Sequence, residues 1–105
     1  MTSVAVVIAA HHAALTIGRA VRSALAEPEV VEVWVVDDAS TDATMQEARR
    51  SDDGSGRLQV LRQAVNSGPA AARNRALALA TSDWVCVLDA DDHFLPGRIG
   101  RMLKA

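Results

Sequence analysis

The chain has 105 residues, half of them hydrophobic, which suffices for one small domain over residues 1–105 and is too little for two. Its formal net charge of -2, with no cluster of basic residues, argues against nucleic acid as a partner. The single cysteine, Cys86, excludes a disulfide framework and favours a reducing, cytoplasmic location.

Four runs rich in β-branched residues predict strands, and a segment of helical length follows each of them. The predicted strands cover 4–8, 30–36, 58–61 and 84–88. The predicted helices cover 14–26, 40–50 and 67–80, with a short fourth helix after Pro96. Thr44 and Glu47 have the spacing of a capping box in the second helix, and Pro69 suits the first position of the third.

Alternation of strands and helices, with strands that are apolar along their whole length, is typical of a parallel sheet covered on both faces. The expected fold is therefore α/β and Rossmann-like, with a mostly parallel four-stranded sheet. In such sheets the ligand crevice lies beyond the carboxyl ends of the strands, where the strand order reverses. The residues that follow each strand are the candidates for function.

Acids and histidines follow three of the four predicted strands. The first is followed by His11 and His12, the second by an acidic pair, and the last by an Asp-Ala-Asp-Asp segment: Asp37, Asp38, Asp89, Asp91, Asp92. Carboxylates gathered on one rim repel each other unless a cation lies among them. Mg²⁺ or Mn²⁺ shared with a phosphate-bearing ligand fits this pattern. An Asp-x-Asp segment by itself is weak evidence, because such segments are common in turns and helix caps, and alone it would favour acids that cap the last helix or face solvent.

Two arginines lie in the first turns of the third predicted helix. Arg73 and Arg75 could each face a diphosphate or a base edge with a planar guanidinium fork. The competing interpretation is a solvated pair on the helix surface, and for Arg75 it is the preferred one.

Four segments in this order and spacing resemble the nucleotide-binding half of the family 2 glycosyltransferases, inverting enzymes of the GT-A fold. They are "VAVVIAAHH", "VVDDASTD", "NSGPAAARNRALALA" and "LDADDHFLP", and together they cover nearly the whole chain. The resemblance implies a donor site for a nucleoside-diphosphate sugar, with a UDP-sugar favoured.

The resemblance assigns the base end of that site to residues after the first two strands. His11 occupies the place of the tyrosine that usually packs on the nucleobase, and Ala9 replaces a common proline. His12 stands where an asparagine is usual. Asp38 matches the acid that accepts hydrogen bonds from the base, while Asp37 is expected to orient the turn.

The resemblance assigns the diphosphate end of the donor site to residues of the last two segments. Arg73 matches the arginine that approaches the nucleotide. Asp89 and Asp91 match the Asp-x-Asp motif, the first near the ribose and the metal and the second on the metal itself. Asp92 is expected to support them, and His93 to be a loop histidine.

The implied reaction transfers the sugar to an acceptor hydroxyl with inversion, and it needs a general base. In the family this base and the acceptor site lie after the Asp-x-Asp strand. The chain is therefore interpreted as the donor-binding half of a longer enzyme, truncated after the Asp-x-Asp strand and inactive by itself. The sequence does not decide whether the full-length enzyme is associated with a membrane. Neither the donor sugar nor the acceptor is identified.

Other protein classes fit the order of the motifs less well. A receiver domain needs its acidic pair after the first strand, and a haloacid-dehalogenase-type phosphatase needs its "DxD" loop there; in this chain they follow the second and the fourth. A non-catalytic nucleotide-binding or self-associating module remains open. An exposed sheet edge would favour a homo-oligomer.

Overall fold

The computed structural model describes residues 2–104. Strands and helices alternate strictly along them: β1 (Val4–Ala10), α1 (Ile17–Leu25), β2 (Val30–Asp37), α2 (Thr44–Arg50), β3 (Leu58–Arg62), α3 (Pro69–Leu79), β4 (Trp84–Val87) and α4 (Arg98–Lys104). None of the helices in this part of the chain is long and apolar enough to cross a membrane.

The strands form one parallel sheet in the order β3-β2-β1-β4. Val7 on β1 is in register with Trp34 on β2 and with Val87 on β4. The chain moves outward from β1 to β3 and then crosses back to place β4 on the other side of β1. The strand order therefore reverses between β1 and β4, and the predicted parallel α/β architecture is confirmed.

Helices cover both faces of the sheet, as predicted. On one face, α1, α2 and α4 pack on the strands through buried apolar residues that include Ile8, Val21, Ala48 and Ile99. On the other face, α3 packs on β1 and β2 through the smaller cluster of Val7, Val36, Ala72 and Ala76. Alanines at this contact let the helix backbone approach the sheet closely. This double cover explains why β1 is apolar on both sides.

Helix starts agree with the prediction in α3 and differ from it in α2. Pro69 is the first residue of α3, and Gly68 precedes it with a φ of 92°, which favours glycine. The predicted capping box of α2 is wrong, because Thr44 is the first helical residue and Ala43 precedes it without a side-chain cap. The Thr44 hydroxyl contacts a different loop instead.

Glu27 ties the segment after β4 to the rest of the domain. Its side chain is only 2% exposed, and its carboxylate accepts hydrogen bonds from the amides of Gly97 (3.1 Å) and Ile99 (2.9 Å) at the start of α4. The amide of Phe94 also donates to the hydroxyl of Ser23 on α1, at 2.9 Å. These contacts fix the chain that leaves the Asp-x-Asp motif.

Glu32 anchors the loop between α3 and β4 near the other end of the sheet. Its carboxylate accepts hydrogen bonds from the Trp34 indole, the Thr81 amide and the Ser82 hydroxyl. Burial raises the pKa of Glu32, but these hydrogen bonds together outweigh burial and leave the pKa below its ordinary value of 4.5.

The lone cysteine lies in β4 and packs against the larger core cluster. Burial raises the pKa of the Cys86 thiol, and the nearby Arg98 offsets this only in part. A thiol that stays protonated is a poor nucleophile, which agrees with a structural role for Cys86.

Candidate functional site

The carboxyl ends of the neighbouring strands β1 and β4 lie side by side at the point where the strand order reverses. They line a cavity of about 620 Å³, called here the switch-point cavity, whose residues are Ala9, His11, His12, Ala13, Ala14, Leu15, Thr16, Asp42, Asp89, Ala90 and Asp91. The predicted metal ligands Asp89 and Asp91 therefore share a cavity with His11 and Ala9, which lie about eighty residues earlier in the chain. Parallel topology alone accounts for this convergence.

A second, smaller cavity adjoins the first on the β2 side. It has a volume of about 270 Å³, is called here the His11–Asp38 cavity, and is lined by Ala9, Ala10, His11, Asp38, Asn66 and Pro69. Ala9 and His11 line both cavities, so the two form a continuous surface along the carboxyl end of β1. The candidate residues for the base and for the diphosphate lie on opposite sides of His11.

The orientation of His11 is set by its neighbours. Its Nδ1 lies 2.8 Å from the backbone carbonyl of Asp38 and donates to it, so the neutral ring carries its free lone pair on Nε2. Nε2 is 3.5 Å from the side-chain amide of Asn66. The His12 ring stacks on His11 with ring centroids 3.9 Å apart. One face of the imidazole is therefore covered, and only the opposite face could stack on a nucleobase.

Both carboxylate oxygens of Asp38 already accept hydrogen bonds within the protein, which the sequence does not predict. It is 3% exposed, and its two carboxylate oxygens accept hydrogen bonds from the backbone amides of Ser67 and Gly68, each at 2.8 Å. The carboxylate thus holds the loop that leads into α3. Each oxygen keeps a second lone pair, and Asp38 still lines the smaller cavity.

Asp37 has a structural environment, as expected. It is fully buried, accepts a hydrogen bond from the Ser40 hydroxyl, and forms an ion pair of 3.1 Å with Arg62, its register partner on β3. With these partners, the Asp37 carboxylate fixes the turn after β2.

Asp89 and Asp91 are both exposed at the switch-point cavity. Within residues 2–104, no group of three or more histidine, cysteine, aspartate or glutamate side chains is placed to hold a metal ion. Two carboxylates suit Mg²⁺ or Mn²⁺ when the remaining ligands are phosphate oxygens and water, as is common for these ions. The donor set therefore fits a cation that arrives together with a diphosphate.

Asp92 contributes to the motif through its backbone. Its amide donates to the carbonyl of Asp89 at 3.0 Å and closes the turn, while its carboxylate accepts the amide of His93. Asp92 and His93 line a different cavity beside β4 and α4. The side chain of Asp92 therefore faces away from the switch-point cavity.

The two arginines of α3 have different environments. Arg73 is half-buried one turn after Pro69 and is not among the residues that line either cavity. Arg75 donates to the backbone carbonyl of Arg62 at 2.9 Å and to the Gln63 side chain at 2.8 Å, so the expectation of a solvated Arg75 is wrong. Arg75 holds the end of β3, and this contact is difficult to infer from the position of Arg75 in the helical sequence.

The sequence prediction missed two hydroxyl groups beside the site, those of Ser40 and Thr44. Both residues are buried, and each hydroxyl oxygen accepts a hydrogen bond from a backbone amide of the loop after β1. Thr44 also donates to Asp42, and this hydrogen bond is the largest of several contacts that hold the pKa of Asp42 below its usual range. The spacing of Thr44 and Glu47 predicts only a local capping contact and gives no sign of these long-range partners.

Comparison with known proteins places this arrangement in a family. Residues 5–105 match the profile of Glycosyl transferase family 2. The chain is 58% identical over 103 residues to the succinoglycan biosynthesis protein ExoU of Rhizobium meliloti (strain 1021), covering 98% of this chain and 30% of ExoU.

Solved structures of similar fold contain nucleotide sugars. S. aureus TarS 1-349 in complex with UDP-GlcNAc superposes with a TM-score of 0.87 at 28% identity, over 98% of this chain and 30% of TarS 1-349. The mannosyltransferase PcManGT from Pyrobaculum calidifontis, in complex with GDP-Man and Mn²⁺, gives a TM-score of 0.79 at 31% identity, over 90% of this chain and 29% of PcManGT. The chain thus spans about 30% of the length of the proteins it resembles. It belongs to glycosyl transferase family 2.

Proposed function

We propose that this chain forms the donor-binding part of a metal-assisted, inverting glycosyltransferase that uses a nucleoside-diphosphate sugar, with a UDP-sugar favoured. The observation that carries the proposal is the meeting of His11 with Asp89 and Asp91 in one cavity at the reversal of strand order. TarS and PcManGT, which share this fold, are described in complex with UDP-GlcNAc and with GDP-Man.

In this proposal the nucleobase occupies the His11–Asp38 cavity. The uncovered face of His11 stacks on the base, and Asp38 accepts a base N–H with the lone pairs that the loop amides leave free. Ala9, at the wall shared by both cavities, leaves room for the nucleoside. Arg73 lines neither cavity, so in this proposal its side chain would extend along α3 past Pro69 to approach the nucleotide, which is the direction in which long helical side chains lean.

The diphosphate occupies the switch-point cavity between His11 and the Asp-x-Asp motif. Asp89 and Asp91 would hold Mg²⁺ or Mn²⁺ there, with Asp89 also near the ribose. When bound, the cation neutralises the charge that develops on the departing diphosphate. The exposed carboxylates are free to turn toward it, because neither belongs to the buried network of Asp37 and Asp38.

Transfer also needs a base for the acceptor hydroxyl. The chain spans 30% of the length of ExoU, and we assign this base and the acceptor site to the remainder of proteins of that length. Residues 1–105 are therefore expected to bind the donor without transferring sugar by themselves.

Calorimetric titration of the chain with UDP, with and without Mn²⁺, tests the proposal. We expect Mn²⁺ to strengthen the binding of UDP. Asp91→Asn should weaken UDP binding at least about tenfold when Mn²⁺ is present and leave it unchanged when Mn²⁺ is absent. The matched control is Asp52→Asn, an exposed acid before β3, at the opposite end of the sheet. Equal affinity with and without Mn²⁺ would refute the assignment of Asp89 and Asp91.

A second candidate role, self-association, is favoured by the exposed edge strand β4. Trp84 is 60% exposed and Val87 48% exposed, and β4 pairs only with β1 within the described residues. Apolar edge strands are templates for pairing with another copy. Sedimentation velocity over a range of concentrations tests this role: a dimer that Val87→Lys converts to monomer supports it, and a wild-type monomer at all concentrations contradicts it.

A further inference from the structure

Two buried hydroxyl groups hold the loop after β1 that carries the candidate donor-binding residues. The amide of His12 donates to the hydroxyl oxygen of Ser40 at 2.9 Å, and the next amide, that of Ala13, donates to the hydroxyl oxygen of Thr44 at 2.8 Å. Ser40 is 2% exposed and Thr44 is 0% exposed. Consecutive amides of one loop are thus bound by two side chains four residues apart, Ser40 in the loop after β2 and Thr44 at the start of α2.

Each hydroxyl has its direction fixed by a carboxylate. The Ser40 hydroxyl donates a hydrogen bond to Asp37, and the Thr44 hydroxyl donates one to Asp42. A hydroxyl whose proton is committed in this way presents a lone pair in a defined direction, whereas a free hydroxyl rotates. Asp37 is fixed in turn by Arg62. The loop after β1 is therefore linked through Ser40 to β2 and β3, and through Thr44 to the start of α2.

The loop conformation itself is not favourable without such contacts. His12 has a φ of 49°, in the left-handed region that residues other than glycine rarely adopt. Its neighbour His11 is held by the carbonyl of Asp38, which belongs to the same turn as Ser40. Loss of the hydroxyls would let the loop relax toward ordinary backbone angles and would move the His11 ring away from its place between the two cavities.

We propose that Ser40 and Thr44 are positioning residues for donor binding: they act through the backbone of His12 and Ala13 to fix the His11 ring and the wall of the switch-point cavity. This inference rests on the proposed function for its ligand, but the hydroxyl pair can be tested without any ligand. Neither residue is proposed to contact the donor.

The variants are Ser40→Ala and Thr44→Val, which remove a hydroxyl, and Thr44→Ser, which keeps the hydroxyl and removes only a methyl group. The matched control is Ser51→Ala, because Ser51 is also buried but donates only to Ala48 within its own helix end, at 2.6 Å. UDP affinity with Mn²⁺ and the free energy of unfolding in urea are measured for each.

We expect Ser40→Ala and Thr44→Val to weaken UDP binding by about tenfold, and Thr44→Ser to bind within about twofold of the wild type. Ser51→Ala is expected to lose stability without losing affinity. In a His11→Ala background, Ser40→Ala should cost less than about twofold, because the two substitutions remove the same interaction with the donor. Additive losses, or equal losses of affinity in Ser51→Ala, would overturn the proposal.

Nuclear magnetic resonance gives a readout that does not depend on nucleotide binding. In the wild type, the amides of His12 and Ala13 should exchange at least about tenfold more slowly than unprotected amides, and ¹⁵N shifts should show the proton of His11 on Nδ1. Thr44→Val should remove the protection at Ala13. Unprotected amides in the wild type would refute the role of the hydroxyl pair, whereas absent UDP binding with protected amides would refute only the proposed function.

Discussion

Replacing Asp38 by asparagine separates two roles that the structure allows for this carboxylate. Asp38 holds the loop before α3 through the amides of Ser67 and Gly68, and it also lines the cavity assigned to the nucleobase. The asparagine side chain would keep one acceptor oxygen, but its NH₂ group would face one of the two donating amides. The loop would then lose one hydrogen bond to a charged acceptor.

The magnitude follows from the contacts. A hydrogen bond to a charged group contributes about 1.5–3 kcal/mol, and the amide that loses its acceptor lies in a partly buried site, where water can replace only some of that interaction. We therefore expect Asp38→Asn to lower the free energy of unfolding by about 2 kcal/mol. Asp52→Asn, at an exposed position, should change it by less than about 0.5 kcal/mol.

The assay compares the affinities of the variant for UDP and for CDP by calorimetry. Uracil carries a hydrogen-bond donor at N3, whereas cytosine carries an acceptor there. If Asp38 accepts the base N–H, the asparagine weakens UDP more than CDP and the UDP-to-CDP preference falls by about tenfold or more. If UDP and CDP weaken by the same factor, Asp38 acts only on the loop and the proposed contact with the base is wrong.

Two further predictions concern stability. Glu27→Gln should lower the free energy of unfolding by about 2 kcal/mol and speed amide exchange in the first turn of α4, since one amide loses its acceptor. The control is Glu47→Gln, which removes an exposed ion pair and should cost less than about 0.5 kcal/mol in the same urea titration. Equal losses of stability in the two variants would contradict the role assigned to Glu27. Because the folded-state pKa of Glu32 lies below 4.5, the ionised side chain stabilises the fold above that pH and loses its effect as the pH falls through the folded value. The stability difference between wild type and Glu32→Gln should therefore be constant at neutral pH and shrink below about pH 4.5; a difference that grows on acidification would refute this.

The sheet was predictable from the sequence because its signals are local. The apolar run of β1 has no polar alternation, which specifies a strand buried on both faces, and the run of β2 is interrupted only by Glu32 before Asp37. Pro69 marks the start of α3. The predicted strand bounds agree with the structure within two residues. The first helix begins at Ile17 instead of residue 14, because the amides of Thr16 and Ile17 both donate to Ala13 in a turn.

The placement of the site residues was predictable only as far as topology determines it. Parallel strands bring His11, Asp89 and Asp91 to one edge whatever the side chains do. The contacts of Thr44 and Arg75 were not predictable in the same way. Thr44 has the local pattern of a capping residue, but its partner Ala13 lies 31 positions earlier, and a long-range hydrogen bond overrides the local preference.

The acids at the carboxyl edge of the sheet belong to two electrostatic classes, which explains how so many can lie together. Asp37 and Asp38 are buried and their charges are compensated within the protein, the first by Arg62 and the second by two backbone amides. Asp89 and Asp91 lie at the edge in contact with solvent and take no part in that network. A cation attracted to this edge would therefore be held by the second pair, because removing Asp37 or Asp38 from its internal partners would leave an arginine or two amides unpaired. Under the proposed function, this division leaves Asp37 to the fold, gives Asp38 both the loop before α3 and the base, and leaves the charge of the ligand to the acids after β4.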